Sequence, residues 1–185
     1  MRVLGVDPGT VATGWGVIER TGRGLTYVAG GVIRPRGPLA RRLAHVYRDV
    51  RRILCEFVPG GLSLEKTFVG ENVQSAFRLG EARGAVLVAA AEAGVPVHEY
   101  SPAEIKAAVT GHGRAGKEQV QMMVARLLAL QARLPADEAD ALGAGICHLH
   151  THGFVARLGD AAPGRARRPR AVRQAWSRRA AAGPS

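Results

Sequence analysis

A single helix-length stripe lies between two strand-like runs, and it dictates how the strands on either side must pair. Between Pro38 and Phe57, apolar residues recur at Leu39, Leu43, Val46, Val50, Ile53, Leu54 and Phe57, the spacing of one buried helical face. Before it, Leu25 to Ile33 reads as a strand. After it, Pro59-Gly60-Gly61 stops the helix and Leu62 to Glu65 reads as a short strand. A strand, a long crossover helix and a second strand predict a parallel pair joined right-handedly. Upstream, residues 2–7 and 14–18 are also strand-like. Only short turn-forming links separate them from each other and from 25–33, which predicts an antiparallel meander.

Downstream the pattern alternates again. Residues 72–93 predict a second long helix, unusually rich in small residues: Ala76, Gly80, Ala82, Gly84, Ala85 and Ala89 to Ala91. Val95-Pro96-Val97 predicts a fifth strand, and helical patterns follow at 102–109, 116–130 and 136–152. This order predicts an α/β fold, a mixed five-stranded sheet flanked by helices, which is the ribonuclease H-like architecture. Sites in such sheets form at the carboxyl ends of the parallel strands. Asp7 and Glu65 close the first and fourth strand-like runs there, while Asp137 and Asp140 share one face of the last helix.

Four carboxylates in one pocket repel, and each raises the pKa of the others unless cations neutralise them. Hard divalent ions bound through oxygen do this, and paired ions are a common way to hydrolyse phosphodiesters. The formal net charge of +11 points to a polyanionic, nucleic-acid substrate. That charge is uneven. Seven arginines and no acid lie from Ala161 onward, so residues 1–160 carry only +4. The chain is therefore read as a nuclease-type domain over residues 1–158 and a disordered, arginine-rich tail over 159–185. The two cysteines, Cys55 and Cys147, sit in helical apolar patterns and read as buried thiols in a reducing compartment. With no secretory signal and no membrane-length apolar run, the expected location is cytoplasmic.

Several motifs carry more than one reading. Asp7-Pro8-Gly9 suits a metal ligand, but also a plain turn. The run GVDPGT also looks like the first phosphate loop of actin-like ATPases, which need two such domains and far more residues. GHGRAGKE (111–118) fits G-x-x-x-x-G-K, yet Glu118 stands where a P-loop needs Ser or Thr, and no buried strand precedes it. It reads instead as a phosphate-contacting loop at a helix N-terminus, with Arg114 and Lys117 as its cations. Asp137 and Asp140 follow Pro135 and would equally serve the helix dipole. Phe68 is either core or a base-stacking aromatic. Cys147, His148 and His150 do not share a helical face, and with His152 they read as a surface helix end.

In combination the segments resemble a known family, the RuvC-type Holliday junction resolvases, over about residues 2–153. The matching runs are Gly5-Val6-Asp7-Pro8-Gly9 with Thr13-Gly14-Trp15-Gly16-Val17, then Leu64-Glu65 with Phe68. Asn72, Ser75-Ala76, Leu79-Gly80 and Ala82-Arg83-Gly84 follow, then Gly111 to Lys117 with Gln119-Val120, and Asp137 to Leu142. The resemblance implies that Asp7, Glu65, Asp137 and Asp140 bind two Mg²⁺ ions, with Mn²⁺ able to substitute. It implies that Lys106 and Lys117 face the DNA backbone near the cut, and that Phe68 engages unpaired bases. It further implies paired nicks in strands of like polarity, a homodimer built on helix 72–93, and the RuvA-RuvB branch-migration machinery as partner. Gly60-Gly61, Lys66 and Gly143 depart from the family pattern but leave the four acids in place. Two other readings stay open: a YqgF-like RNA nuclease of the same fold, and a non-catalytic junction-binding protein.

Overall fold

The computed structural model describes residues 1–160 apart from 23, 67–72 and 132–133. Strands β1 (Arg2–Asp7), β2 (Thr13–Thr21) and β3 (Gly24–Ile33) form the meander. Helix α1 (Leu39–Phe57) leads to β4 (Leu62–Glu65), which pairs parallel with β1. Helix α2 (Val73–Glu92) leads to β5 (Val97–Tyr100), parallel to β4. Helices α3 (Pro102–Thr110), α4 (Lys117–Leu127) and α5 (Ala136–Asp160) complete the described residues. The five-stranded sheet has the order β3-β2-β1-β4-β5. The crossover through α1 places β4 beside β1, the central strand, and not beside β3, the strand that precedes the helix: β2 and β1 stand between β3 and β4, so the expected parallel pair forms with β1 instead.

Alternation along the strands sorts two layers. Leu4, Val6, Val17, Leu62 and Leu64 pack with Val46, Val50, Ile53 and Leu54 of α1 and with Val86, Ala89 and Ala90 of α2. On the opposite face, Val3 and Ile18 join Leu142, Ile146 and Leu149 of α5, with Val120 and Val124 of α4. Asp7 and Glu65 share strand parity with Val3 and Ser63. Both therefore belong to the face that α5 covers, and Ser63 Oγ donates to the α5 carbonyl of Ala144 at 2.7 Å.

Helix α5 lies almost on the backbone of the sheet, and glycines make this possible. A Cβ on Gly5 would fall 1.9 Å from the Ala141 carbonyl oxygen, and one on Gly16 would fall 2.3 Å from Leu142 Cδ2. Helix α3 starts at a capping box: Ser101 Oγ accepts from the Glu104 amide, and Glu104 Oε2 accepts from the Ser101 amide.

Four local expectations need correction. The fifth strand is 97–100, not 95–97, because Val95 closes α2: its amide donates to Ala90 O across left-handed Gly94, and Pro96 has no amide to give a ladder. The last helix runs to Asp160, past the expected 152. Cys55 is exposed, since the α1 stripe turns Ile53 and Leu54 inward and leaves the next residue outside; Cys147 is buried as expected. His148 is wholly buried rather than on a surface helix end, its ring 4.3 Å from that of His98 and its Nδ1 2.8 Å from the Tyr100 hydroxyl.

Candidate active site

Strand pairing sets the first two acids side by side. Val6 and Leu64 are partners across the β1–β4 ladder, and Asp7 and Glu65 are the next residue on each strand. Across from them, Asp137 and Asp140 lie in the first turns of α5, whose position is fixed by its contact with Gly14 of β2: a Cβ there would sit 1.9 Å from Asp137 O. All four predicted acids thus lie at one end of the sheet, within range of one another's charge.

Their charges report the same grouping. The Asp7 carboxyl is pushed up to about 7, first by burial and then by Asp140, Asp137 and Glu65, with Lys117 opposing. Glu65 is also raised, by burial and then by Asp140, with Lys106 and Lys117 opposing. Lys117, at the start of α4, donates from Nζ to Asp140 Oδ2 at 2.7 Å, and this bond holds its own pKa above the usual lysine value. A cleft of about 260 Å³ opens here, lined by Glu65, Lys106, Lys117 and Asp140 with Pro102, Ile105 and Val120.

The acids sense one another's charge without converging. Among the described residues, no three His, Cys, Asp or Glu side chains stand close enough to hold an ion in this arrangement. Repulsion keeps uncompensated carboxylates apart, and the Lys117 ammonium occupies Asp140. Even so, the donor set fits hard divalent cations. It is all oxygen, and burial together with the neighbouring carboxylates raises the Asp7 pKa to about 7, so that it holds a proton that a bound cation would replace.

Of the predicted cations, Lys106 and Lys117 reach the cleft. Arg114 is exposed on the loop before α4 and is not among the cleft-lining residues. Phe68 lies outside the described residues. The helix residues that wall the cleft, Pro102, Ile105 and Val120, had no chemical signature in the sequence; only the apolar stripes of α3 and α4 could have pointed to them. A second residue missed at this level is Arg83 of α2, whose Nη1 donates to the main-chain carbonyl of Glu65 at 2.9 Å.

A mixed sheet with carboxylates closing adjacent parallel strands, faced by two more on the covering helix, defines a ribonuclease H-like protein of the nuclease type. Residues 3–148 match the family described as crossover junction endodeoxyribonuclease RuvC, and the chain belongs to that family. A crossover junction endodeoxyribonuclease RuvC of Burkholderia mallei is 47% identical over 175 residues, 94% of this chain and 97% of that protein. The Pseudomonas fluorescens protein of the same name is 49% identical over 150 residues, covering 80% and 86%. Among solved structures, Thermus thermophilus RuvC superimposes with a TM-score of 0.75 at 38% identity, covering 86% of this chain and 97% of that one. Its complex with a Holliday junction substrate gives 0.78 at 37%, covering 86% and 96%. The fowlpox virus Holliday junction resolvase, 12% identical with a TM-score of 0.54, shares the fold.

Proposed function

We propose that this protein is a Holliday junction resolvase: a metal-dependent endonuclease that nicks two strands of like polarity at a four-way DNA junction, in recombination and repair. The observation that carries the reading is the shared electrostatics of Asp7, Glu65, Asp137 and Asp140 in a chain of this family.

Four carboxylates, formally −4, match two divalent cations, and Mg²⁺ with Mn²⁺ as substitute fits their oxygen donors. Bound there, such ions supply an activated water and charge stabilisation at the leaving oxygen. The chain's own residues do the rest. Asp7 and Glu65, held on adjacent strands, and Asp137 and Asp140, held on α5, would be the metal-binding groups. Lys117 balances Asp140 until cations arrive, and its ammonium is then free to meet a phosphate oxygen beside the cleft. Lys106, which also lines the cleft, lowers the local negative potential and draws the DNA backbone in. Arg114 is assigned a backbone contact further out, and Phe68 stacking on an unpaired base at the crossover.

A junction has approximate two-fold symmetry, so a two-fold dimer would present two such clefts to two strands. Helix α2 supports that assembly. Phe77, Gly80 and Val88 lie on its outer face, Phe77 and Val88 are exposed large apolar residues, and a Cβ on Gly80 or Gly84 would meet nothing within 4 Å. The small residues there leave room for a partner, not for the protomer's own sheet. The RuvA-RuvB machinery is the corresponding proposed partner. The arginine-rich segment 159–185, of which 161–185 lies outside the described residues, is proposed as a non-specific basic extension.

A substrate panel tests the reading. With Mg²⁺, four-way junction should be nicked symmetrically while matched duplex and RNA stay intact, and chelator should stop the reaction. Cleavage of RNA in preference to junction would favour a YqgF-like activity. Tight junction binding without cleavage in either Mg²⁺ or Mn²⁺ would make it a binding protein only.

A further inference from the structure

Glu65 stands at the end of a strand only four residues long, and residues 67–72 beyond it lie outside the described part of the chain. A carboxylate at such a terminus depends on whatever anchors its backbone. On the β5 side, the Lys66 amide donates to Tyr100 O at 2.7 Å. From α2, on the sheet face opposite the cleft, Arg83 reaches in. One guanidinium nitrogen, Nη1, donates to the Glu65 carbonyl oxygen at 2.9 Å, and the other, Nη2, is paired with the Glu99 carboxylate of β5. The Arg83 side chain is only 13% exposed. One planar fork therefore ties α2, the last peptide of β4 and the edge strand together, a geometry that a lysine ammonium cannot reproduce.

Arg83 meets Glu65 at its main-chain carbonyl and not at its carboxylate. The cations that favour ionised Glu65 are Lys106 and Lys117. Its contact is with the backbone, and so its effect is on where the side chain starts. We propose that Arg83 is a positioning residue for metal binding: it locks the Glu65 peptide so that the carboxylate enters the cleft on a fixed stem, and it links that stem to the helix whose outer face is free for a second copy. This rests on the reading of Glu65 as a metal-binding carboxylate. Groups that orient a metal ligand in this way typically change affinity or activity by roughly 10–100-fold when lost.

The test uses the full chain and three variants, Arg83→Gln, Arg83→Lys and Glu99→Gln. Mn²⁺ affinity is measured by calorimetric titration, single-turnover nicking on saturated four-way junction is followed across Mg²⁺ concentration, and junction affinity is measured in chelator. Arg83→Gln should weaken Mn²⁺ binding roughly tenfold or more and raise the Mg²⁺ needed for half-maximal nicking in parallel. Junction affinity in chelator should stay within about twofold, because no phosphate contact is removed. Arg83→Lys, which keeps one donor for the Glu65 carbonyl, should recover part of the loss. Glu99→Gln, which leaves that hydrogen bond in place, should show a smaller shift in the same direction. Unchanged Mn²⁺ affinity in a folded Arg83→Gln protein would overturn the proposal. So would a loss of nicking matched by equal losses of junction binding and melting temperature, since Arg83 would then be a general structural residue. Should Arg83→Gln fail to fold, unchanged Mn²⁺ affinity in the other two variants overturns it equally. A parent protein that neither binds Mn²⁺ nor nicks junctions would instead overturn the resolvase reading itself.

Discussion

The backbone of Gly14 lies directly against that of Asp137: a Cβ on Gly14 would fall 1.9 Å from the Asp137 carbonyl oxygen and 2.3 Å from its carbonyl carbon. One acid of the site is thus placed by the absence of a side chain on a strand far from it in sequence. Both clashing atoms are main chain, so neither can swing aside. Gly14→Ala should push the first turn of α5 off the sheet, destabilise the fold by about 1–3 kcal/mol or more, and lower junction nicking well beyond what the lost stability explains. Chemical denaturation and single-turnover cleavage on the same preparation check this; wild-type nicking would show that Asp137 does not need this placement.

Asp7 links the site to pH. Its folded pKa of about 7 lies above the ordinary 3.8, so the native state holds a proton that the unfolded chain gives up. Without divalent cations, this contribution is complete below about pH 3.8 and is lost as pH rises through about 7. A rise of about three pKa units corresponds to about 2–4 kcal/mol after allowance for partial solvation. In chelator, Asp7→Asn should therefore be more stable than the parent at pH 8 and lose that advantage towards pH 4. Mg²⁺ should restore the parent at pH 8 and do little for the variant. Urea unfolding at the two pH values decides it.

The outer face of α2 offers a separable test. Because nothing lies within 4 Å of a Cβ on Gly80, Gly80→Glu should leave the protomer folded and strengthen helix propensity by up to about 1 kcal/mol. It should nonetheless convert a micromolar dimer to monomer in sedimentation and suppress paired nicks. A parent that is already monomeric at micromolar concentration and fully active would remove the dimer from the account.

Truncation after residue 160 removes seven arginines and no acid. Binding to duplex and junction should weaken alike, most at low salt, and the log-log salt slope should fall by roughly 0.9 for each phosphate that the tail no longer neutralises. The nicking rate on saturated junction should not change. A loss confined to junction binding would make the tail a specific recognition element.

The long apolar periods were readable in the sequence. The α1 stripe of Val46, Val50, Ile53 and Leu54 is the buried face observed, but the parallel partner of β4 is β1 and not β3, the strand before the helix, because the meander sets β2 and β1 between them. The four acids could be grouped because strand ends and an i, i+3 pair are local signals. What could not be read depended on neighbours distant in sequence. Nothing near Gly14 announces Asp137, nothing near Arg83 announces the Glu65 carbonyl, and the burial of His148 comes from His98 and Tyr100 on an edge strand placed two residues too early. Val95 misled because an apolar residue after a helix closes that helix as readily as it starts a strand.

The central claim is that Asp7 and Glu65 serve hydrolysis and not DNA binding. The most direct measurement is single-turnover nicking of a strand-labelled four-way junction in Mg²⁺ by the parent, Asp7→Asn and Glu65→Gln, with junction affinity measured alongside in chelator. The parent should give paired nicks in strands of like polarity and neither variant any detectable nick, with junction affinity for both variants equal to or slightly above the parent's, since each loses a negative charge near the DNA. Full nicking by either variant would remove that acid from the site, and loss of junction binding in step with nicking would contradict the assignment of these carboxylates to chemistry.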